Sequence, residues 1–188
     1  MLENRDAVIF LDSFNFMTYS RKKKILELFS DPKDILDRAK LVENKEKLTA
    51  ILTADLYKKM FDNLNDKYMS KVVENLNKLG IKTLTIFDKD YPELLKNIDT
   101  PPFVLYYKGD KSILNNLCIG VVGSRKITNY GVMATEKFAR ELVKYGFTIV
   151  SGLAYGVDTV AHTETLKSNG KTIAVLAGGL DKIYPTAN

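Results

Sequence analysis

Ile119-Gly120-Val121-Val122-Gly123-Ser124-Arg125 is an apolar run that stops abruptly at glycine, serine and arginine. A buried strand ends there, and a glycine turn leaves backbone N–H groups beside a guanidinium. That is the chemistry of an anion site, and phosphate is the anion it suits. Residues 118–122, 147–150 and 172–177 form three such runs, separated by about 24 and 21 residues. Between them, residues 131–145 and 157–168 have helical spacing. Ala134, Phe138, Leu142 and Tyr145 share one face of the first; Val157, Val160, Ala161 and Thr165 share one face of the second. Alternating strands and helices with unbroken apolar strands predict an α/β fold with a parallel sheet covered on both faces. Ligands bind such sheets beyond the carboxyl ends of the strands.

Three loops follow those strand ends: Gly123-Ser124-Arg125-Lys126, Ser151-Gly152-Leu153-Ala154-Tyr155-Gly156, and Ala177-Gly178-Gly179-Leu180-Asp181-Lys182. Their glycines allow close approach to backbone, their serines add donors, and the helix N-termini that follow add positive dipole. Tight strand-to-helix turns alone would explain one such loop. Three converging loops with Arg125 and Lys182 favour binding. Tyr130, Tyr155 and Tyr184 interleave with these cations, an arrangement suited to stacking single-stranded bases; covering the sheet edge would explain each of them equally well.

Several ligands and chemistries find no support. A dinucleotide site needs Gly-x-Gly-x-x-Gly and an acidic residue ending the second strand, where this chain has Gly120-x-x-Gly123 and Val150-Ser151. A Walker A loop is absent, so no cofactor is expected. Asp158 and His162 share a helix face at i, i+4; the reading adopted is that Asp158 stabilises the helix N-terminus and His162 bonds locally. With one histidine in the chain, no serine–base–acid set can be assembled, so no catalytic residue is assigned.

The composition is globular, at 45% hydrophobic residues over 188 positions. A single cysteine, Cys118, excludes an intrachain disulfide framework, and one Cys with one His argues against an all-protein zinc site. No signal peptide or membrane-length apolar run is evident, and the expectation is a cytoplasmic protein. The net charge of +5 sits mainly beyond residue 100, together with ten of the eleven glycines. Residues 1–100 balance 18 Lys/Arg against 17 Asp/Glu; residues 101–188 hold 10 against 6.

The N-terminal region is predicted helical over residues 21–29, 32–39, 45–56 and 68–79, with Ser30 or Asp31 capping before Pro32 and Gly80 closing the last helix. The runs Arg21-Lys22-Lys23-Lys24 and Asn44-Lys45-Glu46-Lys47 are read as solvated helix faces. Residues 81–87 read as a strand, Asp90-Tyr91-Pro92 as a turn, Thr100-Pro101-Pro102 as a linker, and residues 103–107 as another strand.

In these motifs the chain resembles the DNA-processing protein A (DprA/Smf) family. The match runs from Gly80 onward through Tyr91-Pro92-x-x-Leu95, Pro101-Pro102-Phe103-Val104-Leu105-Tyr106, Val122-Gly123-Ser124-Arg125, Thr128-x-Tyr130-Gly131, Ser151-Gly152-Leu153-Ala154-x-Gly156-Val157-Asp158, Ala161-His162, Gly179-Leu180-Asp181 and Tyr184-Pro185-x-x-Asn188. The resemblance implies a helical SAM-like domain over 1–79, connecting strands and linker over 80–110, and the N-terminal part of a Rossmann-like domain over 111–188. It implies a non-catalytic protein that binds single-stranded DNA in a basic pocket, protects incoming strands in natural transformation and helps load RecA recombinase. The site it implies is Gly123, Ser124, Arg125, Lys126, Ser151, Gly152, Gly179 and Lys182, with Arg125 foremost. The runner-up is a nucleoside monophosphate hydrolase of the related nucleotide-processing group, but Ala177-Gly178-Gly179-Leu180 replaces that group's Pro-Gly-Gly-x-Gly-Thr loop.

Two departures from the pattern shape the expectation. Phe14-Asn15-Phe16-Met17-Thr18-Tyr19 stands where a Gly-x-Gly hairpin is usual, so phosphate binding there is not expected. Members of the family are homodimers that continue well past the position of Asn188. A chain ending at Asn188 is therefore expected to be a fragment, a split-gene product or one that needs a partner, binding DNA weakly and loading no RecA by itself.

Overall fold

The computed structural model describes residues 3–188, which form two compact units, residues up to Lys108 and Gly109–Asn188. The connecting strands expected over 80–110 thus belong with the helices almost to their end. The first unit begins with α1 (Asn4–Asp12), followed by α2 (Tyr19–Leu28), a 3₁₀ turn at Pro32–Leu36 and α3 (Arg38–Glu43). Then come α4 (Lys45–Leu52), α5 (Ala54–Asn63) and α6 (Asp66–Lys78). Strand β1 (Lys82–Thr85), the short α7 (Glu93–Lys96) and β2 (Val104–Tyr107) complete it.

Helix α1 was not anticipated from the sequence. Ala7, Val8, Ile9, Phe10 and Leu11 are all buried, so the run has no polar face and no helical period to read. Ala7, Phe10 and Leu11 join a core with Ile25, Ile35, Leu41, Leu48, Leu52 and Met60. Val8 and Ile9 point the other way, onto Val104 of β2. Strands β1 and β2 pair antiparallel, Leu84 opposite Leu105. Tyr106 donates to the Asp12 carboxylate at 2.8 Å, and Lys22 pairs with the same carboxylate. Tyr91 is fully buried and donates to the Pro102 carbonyl at 2.6 Å. Burial pushes its phenol up to about 12, so it remains a donor throughout the physiological range.

The helix expected over 45–56 is two helices. Thr53 has φ 91° and caps α5, its hydroxyl accepting the Leu56 N–H at 3.4 Å. Gly80, at φ +62°, closes α6 as expected.

The second unit contains β3 (Cys118–Gly120), α8 (Asn129–Lys144), β4 (Thr148–Ser151), α9 (Val157–Lys167) and β5 (Thr172–Ala174). The strands are parallel in the order β3-β4-β5, with Ile119 opposite Ile149 and Ile149 opposite Thr172. This is the expected α/β sheet, but its helices do not cover both faces. Helices α8 and α9 pack on each other and both touch β4. The strand order steps in one direction, and crossovers of one hand then place both helices on the same side.

The predicted face of α8 is also corrected. Phe138 is 66% and Tyr145 76% exposed, while Thr135 and Ala139 are buried. Small side chains along that stripe let the helix axis approach its neighbours closely. Helix α9 buries mainly polar residues, and its Glu164 carboxylate accepts from the Arg140 Nε of α8 at 2.9 Å.

Candidate functional site

The three loops meet at the carboxyl ends of β3, β4 and β5. Each is held by bonds the sequence only partly indicates. The Ser124 hydroxyl accepts the Lys126 N–H at 3.1 Å and donates to the Lys126 carbonyl at 3.0 Å, closing the first loop on itself. Ser151 is buried and donates to the Val121 carbonyl at 2.7 Å, so its proton joins β4 to the first loop and is not available to a ligand. The Asp158 carboxylate, also buried, accepts the Gly152 N–H at 3.0 Å and the Ala154 N–H at 3.3 Å. The second loop therefore already holds an anion of its own.

Backbone contact fixes the first loop against the second. Gly156 has φ +82° and ψ −124°, and a Cβ there would meet the Ser124 carbonyl oxygen and lie 2.8 Å from the Arg125 carbonyl carbon. A Cβ on Gly123 would lie 2.6 Å from Val157. The Val157 N–H bonds to the Ser124 carbonyl at 3.2 Å, and the Thr159 N–H to the Ala154 carbonyl at 3.1 Å. Two of the first N–H groups of α9 are thus taken by loop carbonyls.

What remains open is a cavity of about 300 Å³. Arg125 lines it from the first loop, Gly152, Ala154 and Tyr155 from the second, and residues 176–179 with Lys182, Tyr184 and Pro185 from the third. Of the eight predicted residues it gathers Arg125, Gly152, Gly179 and Lys182. Gly123, Ser124, Lys126 and Ser151 stand outside its lining, and at least Gly123, Ser124 and Ser151 act in loop packing. Tyr155 and Tyr184 meet edge-to-face at its wall, centroids 6.1 Å apart, while Tyr130 does not reach it. Leu176, Ala177 and Pro185 were not among the predicted site residues, because an apolar side chain by itself signals no ligand chemistry.

The charged side chains that line the cavity are both cationic, and the Asp158 and Asp181 carboxylates lie beside its lining glycines Gly152 and Gly179. No acidic residue lines the cavity, and among the described residues neither Arg125 nor Lys182 forms a salt bridge. The N–H groups of Gly123, Ser124, Ala177, Gly178 and Gly179 have no protein acceptor among the described residues. Two free cations beside unpaired N–H groups and two tyrosine rings suit a phosphate attached to an aromatic base. No group of three or more metal-ligating side chains occurs among the described residues, and no described helix is long and apolar enough to cross a membrane.

The fold is that of a Rossmann-like α/β unit with a cavity at the carboxyl ends of its strands. The family model for DNA recombination-mediator protein A matches residues 82–188. The chain belongs to that family, the DprA/Smf proteins. DNA processing protein DprA of Bacillus subtilis is 41% identical over 121 residues, covering 64% of this chain and 41% of the relative. The crystal structure of DNA processing protein A from Streptococcus pneumoniae superposes with a TM-score of 0.78 at 31% identity, over 100% of this chain and 62% of that one. DNA processing protein A from Helicobacter pylori, whose structure concerns its single-stranded DNA binding mode, matches 57% of this chain and 47% of its own at 38% identity and a TM-score of 0.50. The chain spans less than half the length of the Bacillus relative.

Proposed function

We propose that the second unit binds single-stranded DNA through its phosphate backbone, without catalysis, as part of DNA processing. The observation that carries this reading is the convergence of Arg125 and Lys182 on one cavity that no acidic residue lines. A guanidinium fork grips phosphate oxygens, an ammonium adds charge, and the third loop adds N–H donors. Tyr155 and Tyr184 offer faces and edges to a base whatever its identity, so binding is largely independent of sequence. Protection of incoming strands follows from occupying the backbone. RecA loading and self-association are proposed for proteins of the family's full length; this chain covers 62% of the Streptococcus chain.

The test is titration of a rhodamine-labelled oligodeoxythymidine, read by anisotropy across a salt series. Arg125→Ala is expected to weaken binding by about 2 kcal/mol, as for a lost charge-assisted hydrogen bond. The slope of log K against log salt should fall by about 0.7, one phosphate contact on a single strand. Lys182→Ala should lower the slope by a similar amount. Unchanged binding in both variants removes the pocket from the reading, and release of free base from nucleotides would favour the hydrolase instead.

A further inference from the structure

The site has a support that its lining does not reveal. His162, on α9, is 6% exposed and lies under the sheet, Nδ1 at 2.7 Å from the Thr172 hydroxyl of β5. That hydroxyl donates its one proton to the Ile149 carbonyl of β4 at 2.9 Å. With that proton on Ile149 the Thr172 oxygen accepts and His162 donates from Nδ1, the tautomer that leaves no N–H buried at Nε2 without an acceptor. The neutral ring then carries a bare lone pair on Nε2, which is buried and has no partner among the described residues. One turn earlier on the same helix, Asp158 holds the N–H groups of Gly152 and Ala154. Helix α9 thus fixes β5, which runs directly into residues 176–179, and the second loop; both line the cavity.

We propose that His162 is a positioning residue of the anion pocket: as a neutral Nδ1–H donor to Thr172 it aligns α9 with β5, and its protonation disarranges the pocket loops. This rests on the proposed DNA-binding reading for its functional consequence. Charging the ring puts a proton on Nε2, where no acceptor waits. A buried donor without a partner is costly, and the charge acting on the ring is the Asp158 carboxylate, already engaged with the second loop. Either the ring shifts away from β5 or Asp158 is drawn from Gly152 and Ala154; both outcomes move the cavity wall. No competing charge intervenes. Strands β4 and β5 contain no ionisable residue, Lys171 precedes β5, and α8 meets α9 with Arg140 on Glu164.

Burial holds the imidazole below its ordinary value, against the opposing pull of Asp158. The neutral form is therefore favoured by folding. The arrangement is intact above the unfolded value of about 6.5 and is lost as pH falls through the lower value of the folded ring.

The chain has one histidine, so its ring can be followed without ambiguity by ¹⁵N NMR of the intact protein. The expected result is the Nδ1–H tautomer at pH 7.5, with the Gly152, Gly178 and Gly179 amide signals shifting at the His162 midpoint. Oligodeoxythymidine affinity should fall severalfold as pH is lowered from 7.5 through the His162 midpoint seen in the ¹⁵N titration. His162→Asn, whose amide can replace Nδ1–H but cannot charge, should keep affinity level within about twofold over that range. An Nε2–H tautomer, glycine signals indifferent to the His162 titration, or a parallel loss in the variant overturns the proposal. If the variant does not fold, the wild-type titration decides. If the oligonucleotide does not bind at pH 7.5, the DNA reading fails and the tautomer and glycine signals still judge the positioning role.

Discussion

At the scale of single residues, the loops around the cavity divide into those that touch solvent and those that touch each other. Gly156 belongs to the second kind. Its φ of +82° with ψ −124° lies where only glycine is comfortable, and its Cα faces the Ser124–Arg125 backbone. Gly156→Ala therefore meets backbone strain and a backbone clash together. A cost of at least about 1–3 kcal/mol is expected, read as a lower Tm, with displacement of the Arg125 loop and weaker oligonucleotide binding. A Tm within error of wild type would contradict the contact. Arg125 was legible in the sequence because a cation after a strand-ending glycine announces itself. The structural use of Ser151 was not, since its hydroxyl faces a carbonyl 30 residues away in the chain.

At the scale of elements, α8 and α9 are joined by one ion pair in which the partners are unequally buried. The Glu164 side chain is 8% exposed and that of Arg140 is 50% exposed. Removing the arginine strands a buried carboxylate, which costs more than the pair contributes. Arg140→Ala is expected to destabilise the protein by about 1–3 kcal/mol in urea unfolding, and Arg140→Ala/Glu164→Gln by less. A double variant no more stable than the single one would show that the pair does not join these helices. Sequence periodicity found both helices but misread the packed face of α8. Phe138 and Tyr145 looked like core residues, yet the stripe that packs is the small one through Thr135 and Ala139. Periodicity locates a face; it does not say how close the neighbour stands.

At the scale of the whole molecule, the two units differ in how completely their elements are enclosed. In the first, α1 is surrounded on both sides and Phe10, Leu11, Leu48 and Leu52 are fully buried. In the second, β4 lies between two strands, while Val122 at 82% and Val175 at 62% stay exposed at the strand ends. Residue-resolved hydrogen exchange is expected to give larger opening free energies for α1 and α4 than for β3 and β5, with β4 intermediate. Equal protection across the three strands would contradict it.

The sequence by itself determined the strand–helix alternation of the second unit, the loops at its strand ends, Arg125 and Lys182 as the cations, and the family through the order of its motifs. These are local signals: period, punctuation and charge. Only the tertiary structure decided that α1 is a hub, that both helices lie on one side of the sheet, that the Asp158 carboxylate fills the second loop, and that four of eight predicted residues line the cavity. Each of those depends on which distant group a side chain meets, and that meeting is fixed only once the chain has closed on itself.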